Sequence, residues 1–256
     1  DGDDWIEKKH IEGMVREQVR NAADVVVTRM KQVETSGSRY MELVAEYGCY
    51  KGEKLYSQLY PIMINARKFE KRGIPFSRCS KLIKKNLIEV NLKYSFEEGT
   101  FEEDFNIMAP VLMDAEVICI AEIEEAAYCY RRVETSMLHG YDAKMRTSID
   151  HIYPALRLAC AEKGREIFMS QIEFEYVSAM LRCVTNELQN PGGLGVIKRN
   201  IQSISEQPEL RKVIDCVETG MFPFQMILVY KLLKKFNWFQ KNIMIVALWM
   251  VKRVHH

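Results

Sequence analysis

From Pro110 to Leu138 the chain runs 29 residues with no glycine and no second proline, and no other stretch restricts the fold as strongly. Pro110 suits a first helical position, because it lacks the N–H that such a position leaves unsatisfied, and Gly140 suits a helix stop. A single helix over that span would be about 43 Å long, the width of a domain of this size. Turned at 100° per residue, Val111, Leu112, Ala115, Val117, Cys119, Ile120, Ile123, Tyr130 and Val133 fall within an arc of about 240°. A surface helix needs a stripe little more than 100° wide, so this one would need neighbours on at least two sides. The expected fold is therefore mainly α: a multi-helix globular bundle around a central helix at about 110–138.

Glu116 breaks the pattern, because it falls between Leu112 and Ile120 on the apolar arc. A carboxylate placed there is expected to be buried, with His151 as its polar partner. Two readings stand: a structural ion pair near a helix start, or a tuned acid.

The same periodicity extends along the chain. Ile11, Val15, Val19, Ala22, Val26, Met30 and Val33 are spaced 4, 4, 3, 4, 4, 3, which predicts a first helix from Asp3 or Asp4 to about Val33. Ser77 to about Leu87 reads as a basic helix. Ile88, Val90, Leu92, Tyr94 and Phe96 alternate with polar residues, the one clean strand signal, so at most a small hairpin or edge strand is expected at 88–96. Helices follow from Asp142 to Lys163 with a bend at Pro154, from Ser170 to Leu188, and in four further segments after Asn190-Pro-Gly-Gly-Leu-Gly195. That turn divides a main helical domain, 1–189, from a C-terminal helical subdomain, 196–254, joined by a hinge at 190–195 unless the chain is one domain.

Composition suits a globular chain of 256 residues, with 48% hydrophobic and 28% charged residues and a formal charge of +1. The charge is unevenly placed. Tyr94 through Tyr130 holds ten acids and no base, whereas Arg67 through Lys93 holds nine bases and two acids. Either these blocks meet in a salt-bridged seam or they form surfaces of opposite sign. Seven scattered cysteines without a C-x-x-C pair read as reduced core residues, which points to the cytoplasm. The longest apolar run, Ile243 to Val251, is nine residues, too short for a transmembrane segment, although peripheral membrane contact fits it.

The sequence contains no G-x-G-x-x-G, P-loop, H-E-x-x-H or G-x-S-x-G motif, so no catalytic residue, metal ligand or cofactor is assigned. Arg67, Lys68, Lys71, Arg72, Arg78, Lys81, Lys84 and Lys85, interleaved with Tyr60, Phe69 and Phe76, have the makings of an RNA-binding face. The alternative is a solvated pair of helix faces. Phe222, Phe224, Trp238, Phe239 and Trp249 belong to an apolar C-terminal hairpin that must be core or interface. The reading that follows is a non-enzymatic protein working by self-association or a protein partner. Its methionine-rich helical texture fits an RNA-virus nucleocapsid, capsid or accessory protein. The alternative is an all-helical metal-dependent enzyme using buried acids such as Glu116.

Overall fold

The computed structural model describes residues 3–123, 127–132, 140–234 and 237–254. Its first half is built on strands, contrary to the all-helical expectation. Sheet A consists of β1 (Trp5–Ile6), β8 (Tyr128–Arg131), β3 (Met30–Glu34) and β4 (Gly37–Tyr40), in that order. Sheet B consists of β5 (Gly48–Lys51), β7 (Val117–Ala121), β2 (Val25–Thr28) and β6 (Lys81–Ile83). Each sheet has one parallel pair at its centre, β3 with β8 and β2 with β7, flanked by antiparallel neighbours.

The supposed central helix does not exist as one element. Pro110 lies inside α3 (Glu103–Asp114), and past the extended cap residue Ala115 the chain enters β7. The wide apolar arc has another cause. A central parallel strand is covered on both faces, so it reads as an unbroken apolar run that periodicity cannot tell from a buried helix. Alternate residues of β2 and β7 serve two cores. Val25, Val27, Ile118 and Ile120 join the main one, while Val26, Cys119 and Ala121 pack with Met14 beneath α1 (His10–Asn21). Gly13 permits this approach, since a Cβ there would lie 2.5 Å from the side chain of Ile123.

The first helix is correspondingly shorter than predicted: α1 occupies only the middle of 3–33, and Val26, Met30 and Val33 lie in strands. The segment 88–96 is no strand, for α2 (Lys85–Asn91) runs into a short 3-10 turn at Leu92–Tyr94. The predicted basic helix at 77–87 is mostly loop and β6. The expectation of reduced core cysteines is corrected at two positions, because Cys49 and Cys119 face each other across β5 and β7 and are disulfide-bonded.

Past residue 140 the chain is helical. It forms α4 (Met145–Glu162, containing Pro154), α5 (Met169–Glu187), α6 (Leu194–Glu206), α7 (Pro208–Val213), α8 (Phe224–Lys234) and α9 (Trp238–Val254). The real spine is α5, buried along nearly its whole length and packed against α4, α6, α7 and α8. No described helix is long and apolar enough to cross a membrane.

Candidate active site

A polar stripe runs along the otherwise apolar α5. Gln171, Glu175 and Arg182 fall within about 40° of one another on the helix surface, and all three bind the preceding loop or α3. Gln171 Oε1 accepts the backbone N–H groups of Ile64 and Asn65, each at 2.9 Å, and Asn65 Nδ2 donates to Glu175 Oε1 at 2.6 Å. Arg72 reaches from the same loop to Glu175 and, at 2.7 Å, to Glu102. Arg182 meets the same Glu102 oxygen, and the Tyr153 hydroxyl donates to the other at 2.8 Å.

Glu102 is thus enclosed by two guanidinium groups and a phenol, with only 7% of its side chain exposed. Burial alone would raise its pKa, but Arg182 and Arg72 outweigh that penalty and hold the carboxyl well below the usual range. Burial and the two nearby carboxylates push Tyr153 upward, so its hydroxyl stays a donor. Glu102 has a φ of 56°, a left-handed conformation costly for any residue but glycine. That twist is what separates it from its neighbours: Glu102 faces the interior, and Asp104, two residues on, faces out.

Asp104 sits in the first turn of α3 and is gripped by Arg78, whose backbone N–H donates to Oδ2 at 3.3 Å and whose guanidinium binds Oδ1. Beside it is Lys81, half-buried at the start of β6, with its ammonium donating to the Ser77 carbonyl at 2.5 Å. Desolvation pushes the Lys81 pKa down to about 7, only partly opposed by the charge of Asp104. Further along, the Tyr128 hydroxyl lies next to Cys79 and donates to Asp4 Oδ2 at 2.7 Å. Asp4 Oδ1 also accepts the backbone N–H of Arg131, so this acid does not cap a helix but ties β8 to the chain start. Arg78, Asp104, Lys81, Cys79, Tyr128 and Asp4 therefore form a run of polar side chains across the seam between the sheets. A cleft of about 690 Å³ opens between residues 39–44 and 70–76, with Arg39, Lys71, Arg72 and Arg182 among its lining; Arg78, Lys81 and Asp104 do not line it.

The sequence-based sites are redistributed. Of the eight bases in the supposed RNA-binding face, Lys71, Arg72, Arg78, Lys84 and Lys85 are ion-paired, to Glu42, Glu102 and Glu175, Asp104, Asp24, and Glu89 respectively. Lys81 is half-buried, while Arg67 and Lys68 are exposed. The basic and acidic blocks meet in the pairs Arg72–Glu102 and Arg78–Asp104, while the other ion-paired bases of 67–93 find acids elsewhere. Glu116 is exposed, contrary to expectation, because it lies in the link between α3 and β7 and not on a buried helix face. His151 is exposed as well; its Nδ1 lies 2.8 Å from the Thr147 carbonyl and its ring stacks on Phe96 at 4.3 Å, so it does not partner Glu116. Phe222 is in the core, stacked on Phe174, whereas Phe224 and Phe239 are exposed and Trp249 packs partly against the core. The side chain of Trp238 lies outside the described residues.

Two mixed four-stranded sheets, backed by helices and joined along a polar seam, define a GT-A-like glycosyltransferase fold. The solved structures it resembles include S. aureus TarS 1-349 in complex with UDP-GlcNAc, at a TM-score of 0.56 and 16% identity, covering 100% of this chain and 67% of that one. A second crystal structure of S. aureus TarS 1-349 matches at a TM-score of 0.55 and 17% identity, covering 100% of this chain and 66% of that one. No protein-family model and no curated protein matches the sequence. The likeness overturns the reading of a helical, non-enzymatic assembly protein of nucleocapsid or capsid type. With the bundle goes the alternative of an all-helical metal enzyme, which also relied on a buried Glu116.

Proposed function

We propose that this chain forms part of a nucleotide-sugar glycosyltransferase-like enzyme. The observation that carries the reading is the superposition of the whole chain on TarS, a protein solved with UDP-GlcNAc. The polar seam supplies what the chemistry requires. In glycosyl transfer an acceptor hydroxyl forms a bond to the anomeric carbon as the bond from that carbon to the nucleoside diphosphate breaks. A base must take the hydroxyl proton, and fixed positive charge must balance the departing diphosphate. Asp104, partly open to solvent and held in place by Arg78, is the candidate base. Arg78 and Lys81 are the candidate cations, and the cleft beside Arg39 and Lys71 offers room for a polar ligand.

The test is calorimetric titration of the protein with UDP-GlcNAc and a panel of other nucleotide sugars, together with release of free nucleotide over time. Saturable binding that Lys81→Met weakens, and nucleotide release that Asp104→Asn abolishes, is the expected result. Absence of binding to every nucleotide sugar at millimolar concentration would overturn the reading.

A further inference from the structure

The Cys49–Cys119 disulfide sits where one wall of the cleft is anchored. Sheet B runs β5-β7-β2-β6, so β5 is an outer strand, paired with β7 on one side. Cys49 stands directly opposite Cys119 in that pair, and the bond between them links residues 70 positions apart in the chain. The other five cysteines are free.

The two walls of the cleft are held unequally. The wall at 70–76 is fixed from within: Arg72 is bound by Glu102 and Glu175, and Gly73 lies so close to Ile62 that a Cβ would stand 2.6 Å from the Ile62 carbonyl oxygen. The wall at 39–44 belongs to the link from β4 to β5. Within that link Met41, Glu42, Val44, Glu46 and Tyr47 are exposed, Leu43 is half-buried and only Ala45 is buried. The Ala45 N–H donates to the Gly73 carbonyl at 2.9 Å and so joins one wall to the other. A segment with so few buried side chains opens easily unless its ends are fixed. One end is β4, itself an outer strand and exposed along its length; the other is β5, where the fixing is covalent.

We propose that the disulfide is a redox-operated staple: oxidised, it holds the 39–47 wall of the cleft in place, and reduced, it lets that wall open. Cys119 is 2% exposed and packs beneath α1, whereas Cys49 is half-buried on the outer strand and is the sulfur a reductant reaches. Lys51, exposed and two residues further along the same face of β5, favours the approach of an anionic thiol. The reductant is a low-molecular-weight thiol. Its thiolate attacks the Cys49 sulfur, the bond to Cys119 breaks, and Cys119 leaves as a thiolate that takes up a proton. A second thiol attacks the mixed disulfide, frees Cys49 and departs joined to the first, so two electrons pass from two thiols to one protein disulfide. The inference is independent of the glycosyltransferase reading.

Glutathione is the probe. Alkylation in denaturant, read by mass spectrometry, should find five reactive cysteines in protein purified in air and all seven after the folded protein has been incubated with reduced glutathione. Hydrogen exchange is then compared for the oxidised and reduced wild type, a comparison that needs no variant to fold. Amides of residues 41–51 are expected to exchange about tenfold or more faster once the bond is reduced, with α4 and α5 unchanged. Cys49→Ser combined with Cys119→Ser should exchange like the reduced wild type with or without glutathione. Seven reactive cysteines before reduction, or five still after glutathione, would overturn the proposal. So would equal exchange of 41–51 in the two redox states, or loosening that spreads through α4 and α5, since the bond would then brace the whole fold and not the cleft wall.

Discussion

Glu102 and Asp104 stand two residues apart at the head of one helix, and each is bound by arginine, yet they serve different ends. Glu102 is sealed between Arg72, Arg182 and Tyr153, and every oxygen it has is used to join α3 to α4, α5 and the loop before β6. Asp104 has 30% of its side chain exposed and leans on an arginine that is itself 58% exposed. The left-handed turn at Glu102 divides them. A charge that is buried and fully paired contributes to architecture and is costly to uncover, whereas one left at the surface contributes little to stability and is free to take part in chemistry.

The largest effect should come from breaking the inner cluster. Glu102→Ala leaves Arg72 and Arg182 facing each other without their shared anion, and should cost about 3–5 kcal/mol in denaturant unfolding, enough to jeopardise folding. Asp104→Ala, by contrast, should cost about 1 kcal/mol or less. Equal losses at the two positions would show that the division between an inner structural acid and an outer working acid is mistaken.

Activity should reverse the ranking. If Asp104 takes the acceptor proton, Asp104→Asn should reduce turnover by about 10²–10⁴-fold while leaving the melting temperature nearly unchanged. Loss of nucleotide-sugar affinity with turnover intact would instead make Asp104 a binding group.

Little of this cluster was legible in the chain order, and the reason is physical. Helices past residue 140 show themselves through caps, glycine stops and 3.6-residue spacing, and α4, α5 and α6 lie close to where those signals put them. The strands do not. β2 reads Val-Val-Val-Thr and β7 reads Val-Ile-Cys-Ile-Ala, runs buried on both faces that lack the alternation by which a half-exposed strand is recognised. At 88–96 the alternation was genuine but the backbone is helical, with Val90 and Leu92 left exposed beside the 3-10 turn. The site was hidden because its members come from separate regions: Arg72, Glu102, Tyr153, Glu175 and Arg182 meet only once α3, α4 and α5 are packed. One local signal did exist. Gln171, Glu175 and Arg182 fall on one side of a helix whose other residues are mostly apolar, and a polar stripe on a helix buried all round must be answered by partners elsewhere.

Acid sharpens the comparison by a smaller amount. The folded-state pKa of Glu102 lies below its unfolded value of 4.5, so the associated stability is fully present above about pH 4.5 and is lost as pH falls through the folded value. Denaturant midpoints measured from pH 6 downward should therefore fall more steeply for the wild type than for Glu102→Gln. Parallel curves would mean that the arginines do not hold this carboxyl as described.

Lys81 gives the finest test, because, of the two acids, only the outer one acts on it, with Cys79 beside it. Its pKa is about 7 in the folded protein against 10.5 for a free lysine, since desolvation penalises the ammonium more than Asp104 favours it. Between those values the unfolded chain binds a proton that the folded one has released. Stability should then rise with pH across this window, by at most about 1.4 kcal/mol per pH unit. Lys81→Met should flatten that rise, as the amine no longer has to be discharged on folding. Asp104→Asn should do the opposite: with the neighbouring anion gone, the folded-state pKa of Lys81 drops further and the rise begins at lower pH. Denaturant midpoints for the three proteins between pH 6 and 10 decide the matter. If Asp104→Asn leaves the onset of the rise where the wild type has it, Lys81 and Asp104 do not sense each other, and the outer acid works without the lysine beside it.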